Sequence, residues 1–175
     1  MNVQISNKQG LFYLIVFLLT GFAMSVADGY LKNSITPFGI ISYELIYDID
    51  LVEKAKSLWG EQGKIAAAFS LGIDYLFLLS YAVIGLWVIQ NTQNKLTTLA
   101  PTVSRPLTFV AFLVVIAALC DVIENTALVS LLFDSAQPTL AFTAYYFAIA
   151  KFSALLMSII AVIAANIFYL FRRKK

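Results

Sequence analysis

Histidine is missing from the 175 residues, cysteine occurs once, and only 13% of the side chains are charged. Without imidazole there can be no His-ligated haem, no zinc site built on histidine, and no Ser-His or Cys-His catalytic pair. The lone Cys120 excludes an intramolecular disulfide and leaves the redox compartment open. Its apolar neighbours favour an inert buried thiol over a nucleophile. The net charge of +2 is too small to suggest a nucleic-acid partner. Much of the basic excess sits in one cluster, Arg172, Arg173, Lys174 and Lys175, which reads as an anchor on the cytoplasmic membrane surface.

Hydrocarbon is what the chain has in abundance: 61% of residues are hydrophobic and the mean hydropathy is +0.84. That is well outside the range of an ordinary soluble domain. Crossing a hydrocarbon core of ~30 Å takes about 20 helical residues. Four stretches qualify, at about 11–27, 65–89, 107–133 and 139–171. The last is close to ~50 Å long at ~1.5 Å per residue, so it must tilt or project from the bilayer. The expected fold is an all-α membrane protein, a four-helix transmembrane bundle forming one domain over 1–175. No internal repeat supports an inverted-repeat transporter.

Lys8, then Lys95 and Arg105, then the basic tail fall on one side of these spans, whereas the connection at 29–64 is rich in acid and the one after Phe133 carries Asp134. Translocated positive charge is disfavoured, which places both termini in the cytoplasm of a bacterial inner (plasma) membrane. The first span could alternatively be a cleaved signal peptide, with Ser25-Val26-Ala27-Asp28 as its small-residue site. Against that, Gly21 and Ser25 look like helix-contact positions worth keeping.

The first connection is long enough to fold. Thr36-Pro37 makes a helix start, and Asp50 to Glu53 has capping-box spacing before a second short helix ending near Gly60. Over about 37–59, Ile41, Leu45, Ile49, Val52 and Trp59 would line one side, with Glu44, Asp48, Lys54 and Ser57 elsewhere. This amphipathic segment should lie on the outer membrane surface or cap the bundle. Glu44 and Asp28 are then expected in solvent, although either would line the mouth of a pocket if the connection folds over it.

The unusual residues lie inside the spans. Asp74 is ten residues beyond Lys64 and Glu124 ten before Asp134, so both sit roughly 15 Å below the boundary. Asp121 lies one turn deeper, at about the depth of Lys151. A central Asp or Lys costs about 2.5–3.5 kcal/mol on insertion scales, so these groups should turn inward. Helical spacing permits it. Asp121, Glu124, Asn125 and Leu128 share a face, as do Ser70, Asp74, Tyr81 and Gly85. Ala148, Lys151, Ala154, Ser158, Ala161 and Ala165 form a small-residue stripe whose only long side chain is Lys151.

Two readings follow. In one, Lys151 neutralises Asp121 while Asp74 and Glu124 share a proton and tie helices together. In the other, three acids against one base leave negative charge for a cation, a moving proton or a cationic ligand to balance. Asp74, Asp121 and Glu124, helped by Asn125 and Tyr81, could hold a hard divalent cation such as Mg, Mn or Ca, although two acids at i and i+3 are not a specific metal signature. Tyr13, Tyr145 and Tyr146 read as interfacial or packing residues.

The segments "SYEL" at 42–45, Trp59, "GIDYLFLLSYA" at 72–82 and "DVIENTAL" at 121–128 together resemble a group of small bacterial four-span membrane proteins with no assigned activity. These pair an Asp-x-x-Phe-x-x-x-Tyr second span with an Asp-x-x-Glu-Asn third span. Asp74, Phe77, Tyr81, Asp121, Glu124 and Asn125 match that pattern, and Glu44 matches an acid in the first connection. The resemblance implies no substrate. The expected function is a buried acidic pocket that binds a cation or a small lipid-like ligand for transport or sensing. A membrane enzyme acting on a lipid or isoprenoid is the first alternative, and an assembly subunit with purely structural acids the second.

Overall fold

The structure is a computed structural model that describes residues 4–97, 99–133 and 137–173. Residue 134, expected in an acidic connection, and the last two lysines of the tail lie outside the described residues. The described residues are all-helical: α1 (Asn7–Ala27), a single 3-10 turn (Asp28–Tyr30), α2 (Ile40–Glu44), α3 (Ile49–Thr97), α4 (Pro101–Ser104), α5 (Leu107–Phe133) and α6 (Pro138–Arg173). Four of these helices, α1, α3, α5 and α6, are long and apolar enough to cross a bilayer.

Each helix start has a local cause. Ser6 caps α1 through a reciprocal box: the Gln9 amide N–H donates to Ser6 Oγ at 3.3 Å, and the Ser6 N–H to Gln9 Oε1 at 2.9 Å. At α3 the cap is Asp48 rather than Asp50: the Asp50 N–H donates to Asp48 Oδ1 at 2.9 Å, two residues ahead of the expected box. Thr36 and Pro37 open a turn, not a helix. The Gly39 N–H closes it onto the Thr36 carbonyl at 3.1 Å, and α2 begins only at Ile40.

Two glycines shape the first connection. Gly39 has φ 61°, and a Cβ there would lie 2.2 Å from Asp28 Oδ1, the atom that accepts the Ile40 N–H at 2.9 Å. Asp28 is thus a remote cap for α2. Gly60, with φ 59° and ψ −162°, breaks α3 into an eleven-residue arm (49–59) and the long span that follows. That backbone region is open essentially to glycine alone. The helix stop expected near Gly60 is therefore a kink.

The spans alternate in direction, as their contacts show. Gln90 meets Ile5, Tyr81 meets Asp121, Lys151 meets Asp121, and Asn166 meets Thr92. Lys8, Lys95, Arg105, Arg172 and Arg173 consequently share one end, and α2 sits at the other. Helix α3 is central, touching α1, α5 and α6, whereas α1 leans on α3 and its 3-10 turn. Small residues bring the backbones close. A Cβ on Gly10 would strike the Trp87 ring at 2.3 Å, and one on Gly85 would press Val114 at 3.0 Å. On α6 the expected stripe is buried at Ala148, Lys151, Ala154, Ser158 and Ala165, with Ala161 half-buried.

At the α2 end, Leu31, Val52, Leu71, Leu128 and Leu131 form an apolar core around Tyr43 and Trp59, whose rings are 4.8 Å apart. Each aliphatic side chain so buried contributes about 1.5–3 kcal/mol. Lys56, on the arm, donates to the Leu131 carbonyl at 2.7 Å and to Glu53 Oε1 at 2.7 Å. Leu131 lies in the last turn of α5, where carbonyls lack helical partners, so the ammonium caps that helix. Outward faces carry Phe12, Leu19 and Phe22 on α1, Phe109 and Phe112 on α5, and Leu156 and Ile160 on α6. Such a jacket suits acyl chains rather than water.

The expected orientation of the short helix is reversed. Ile41 and Leu45 point outward, 47% and 41% exposed, while Ile40, Tyr43 and Glu44 are buried. The segment caps the bundle and inserts an acid into it. It does not float on a surface with Glu44 in solvent.

Candidate functional site

The polar side chains meet on the inner faces of α3, α5 and α6, beneath α2. Lys151 Nζ lies 2.8 Å from Glu124 Oε2, 3.1 Å from Asp121 Oδ1 and 3.3 Å from Glu44 Oε2. An ammonium has three N–H donors, so each can be directed at a different carboxylate. The same Nζ is 4.7 Å from the centre of the Phe152 ring. Tyr81 donates to Asp121 Oδ2 at 2.8 Å, leaving both oxygens of Asp121 engaged. Asp74 accepts a short hydrogen bond from the Asn125 side-chain amide at Oδ2.

All seven expected site residues, Glu44, Asp74, Tyr81, Asp121, Glu124, Asn125 and Lys151, belong to this cluster. Their pairing differs from the simplest expectation. No hydrogen bond joins Asp74 to Glu124 among the described residues. Glu124 turns to Lys151, and Asp74 to Asn125. The acids also number four rather than three, since Glu44 joins them. Its carboxyl is pushed above the ordinary glutamate range, chiefly by burial, with the Lys151 ammonium and a hydrogen bond to Glu124 pulling the other way and the Asp121 charge adding to the rise.

Among the described residues, no group of three or more Cys, Asp or Glu side chains has the geometry to hold a metal ion. Lys151 explains this in part. Its ammonium occupies the point on which Asp121, Glu124 and Glu44 converge. The expected Asp74, Asp121 and Glu124 metal set does not have that arrangement among the described residues.

Beside the cluster lies a cavity of about 560 Å³, within the ~300–1,000 Å³ typical of small-molecule sites. Its polar lining is Glu44, Asp74, Tyr81, Asp121 and Lys151, with Ser158 further along α6. The rest is apolar: Leu14 and Phe17 of α1, Ile84 and Val88 of α3, and Leu155, Ile159 and Ile163 of α6. Since α1 packs on α3 and not along α6, the cavity is a groove between α1 and α6. From Lys151 to Ile163 it follows α6 for about 18 Å at ~1.5 Å per residue. It leads from the acids toward the basic end of the bundle.

Reading the sequence missed the depth of Glu44 and the roles of Tyr43 and Lys56. One signal was available: Ile40, Tyr43 and Glu44 stand at i, i+3 and i+4, a spacing that puts them on one helical face. The competing face, Ile41 and Leu45, is the more apolar of the two, so periodicity over five residues pointed away from the face that is buried. Phe17 and Phe152 gave no signal, as apolar residues in apolar spans. No family model, no curated protein and no solved structure matches the chain.

Proposed function

We propose that the protein is a multi-pass inner-membrane protein that binds a small lipid-like amphiphile in the groove between α1 and α6, to move it or to sense it. Both termini lie in the cytoplasm, and the α2 end faces outward. The observation that carries this reading is the junction of a long apolar groove with a compact set of ionised and hydrogen-bonding groups at one end. Hydrocarbon walls accept a tail, and a few convergent polar groups fix a head. A lateral opening between two spans would let such a ligand enter from the bilayer without crossing water.

The test is to purify the protein in mild detergent and identify bound amphiphiles by native mass spectrometry, in wild type and in Leu155→Trp. The indole would fill the groove from α6, one turn beyond Lys151. An amphiphile held by the wild type and lost from a folded Leu155→Trp variant supports the reading. Equal retention by both proteins contradicts it.

A second reading is favoured by one observation: Lys151 links α2, α5 and α6 through three acids. Such a node could be purely structural, in a subunit whose task is assembly. In that case neutralising Asp74, Asp121 and Glu124 together would leave partners bound and no ligand would ever be found.

A further inference from the structure

We infer that the ligand's head is cationic, a tertiary or quaternary ammonium seated on Asp74 against the rings of Phe77 and Tyr81. This rests on the groove being a ligand site, and adds the chemistry of what enters it.

Charge is the first observation. Glu44, Asp121 and Glu124 each have a share of the Lys151 ammonium, and Asp121 also holds the Tyr81 hydroxyl. Asp74 has only a neutral amide. Its Oδ2 takes the Asn125 N–H, and its Oδ1 accepts nothing among the described residues, although Asp74 is 6% exposed and lines the groove. A buried carboxylate with one neutral donor is poorly compensated, so a cation beside it gains most. An anionic head has nowhere to go. The single ammonium in the site already faces three carboxylates, and a phosphate or sulfate approaching it would meet all of them.

The aromatic wall is the second and independent observation. Phe77 and Tyr81 follow Asp74 at i+3 and i+7, on the same face of α3. The Phe77 ring stacks on Phe17 of α1 with centroids 4.6 Å apart and meets the Tyr81 ring edge-on at 6.0 Å. All three rings line the groove along with the acid. Aromatic rings lining a groove together with a carboxylate suit an alkylated ammonium group, which cannot be satisfied by hydrogen bonds alone. A bare divalent ion would find too few oxygens here and too much hydrocarbon.

Saturation binding separates the possibilities, using the purified full chain in nanodiscs of an uncharged glycosyl diacylglycerol, with empty nanodiscs as background. The probes are dodecyltrimethylammonium, dodecanol and dodecyl sulfate, which share a tail and differ in the charge of the head. The cationic probe should bind the wild type about ten-fold or more tightly than dodecanol, as expected for a desolvated ammonium beside aromatic rings and a carboxylate, and dodecyl sulfate should not bind above background. Asp74→Asn should remove that advantage, bringing the cationic probe to the affinity of dodecanol in the same variant. Phe77→Leu, which keeps bulk but loses the ring, should weaken the cationic probe more than dodecanol, and serves if Asp74→Asn does not fold. Equal binding of the cationic probe and dodecanol, preference for the sulfate, or an unaltered cationic preference in a folded Asp74→Asn overturns the charge assignment while the groove remains a ligand site. Failure of all three probes to saturate the wild type overturns the groove reading as well.

Discussion

Lys151 Nζ and Glu44 Oε2 lie 3.3 Å apart across 107 positions of chain. This contact joins α6 to the short helix α2. Lys151→Met should therefore do more than remove one ion pair, because it leaves Glu44, Asp121 and Glu124 buried without their cation. Breaking a buried pair by deleting one partner costs about 3–5 kcal/mol. Unfolding in detergent should show a loss of that size, and adding Glu44→Gln, Asp121→Asn and Glu124→Gln to Lys151→Met should recover much of it. An undiminished stability in the single variant would mean that the ammonium does not hold these acids.

The seating of α2 should depend on pH in one direction. Glu44 retains its proton in the folded protein to higher pH than in the unfolded chain, mainly because it is buried. The folded state then binds more protons than the unfolded state, and stability falls as pH rises above the ordinary glutamate value of about 4.3 and through the raised one. Lys151, Glu124 and Asp121 face this group and set where the fall occurs. Limited proteolysis of the turn ahead of α2 should accelerate with pH in wild type, and that slope should flatten in Glu44→Gln. A slope unchanged by the substitution would assign the titration to another group.

The two positive-φ glycines should respond unequally to alanine. At either position the backbone cost is about 1–3 kcal/mol. Gly60 has open space around its missing Cβ, whereas Gly39 would drive one to 2.2 Å from Asp28 Oδ1. Gly39→Ala should therefore be the more destabilising of the two by thermal unfolding, and should release the Ile40 cap. Equal losses would remove Asp28 from its capping role.

Tyr81→Phe should be mild by comparison. It deletes one donor to Asp121 while Lys151 still holds the other oxygen, so a stability change of about 1 kcal/mol is expected from denaturant titration. A loss as large as that of Lys151→Met would show that the hydroxyl, rather than the ammonium, organises the acids.

Much of this arrangement was legible in the residues themselves. The third span was expected at 107–133, the range of α5, and its acids share a buried face because i, i+3 and i+4 spacing in a long apolar helix leaves no other low-cost orientation. The depth argument likewise paired Asp121 with Lys151, 3.1 Å apart. Short elements were less readable. In α2 the more apolar face points outward, and only tertiary packing of Tyr43 on Trp59 selects the one that buries Glu44. The groove was invisible for a different reason. It depends on α1 leaning on α3 and leaving α6 uncovered, a choice made by contacts such as Gly10 on Trp87 and Phe17 on Phe77 between distant parts of the chain.

Photolabelling locates a ligand most directly. A trimethylammonium amphiphile carrying a diazirine near the end of its tail, bound to the protein in bilayers of uncharged lipid and irradiated, should insert into Leu155, Ile159 or Ile163 of α6 and Val88 of α3, and dodecyltrimethylammonium should compete the label away. Labels confined to the outward Phe109 and Phe112 of α5, unaffected by competitor, would place the probe in the surrounding bilayer and contradict a ligand-binding groove between α1 and α6.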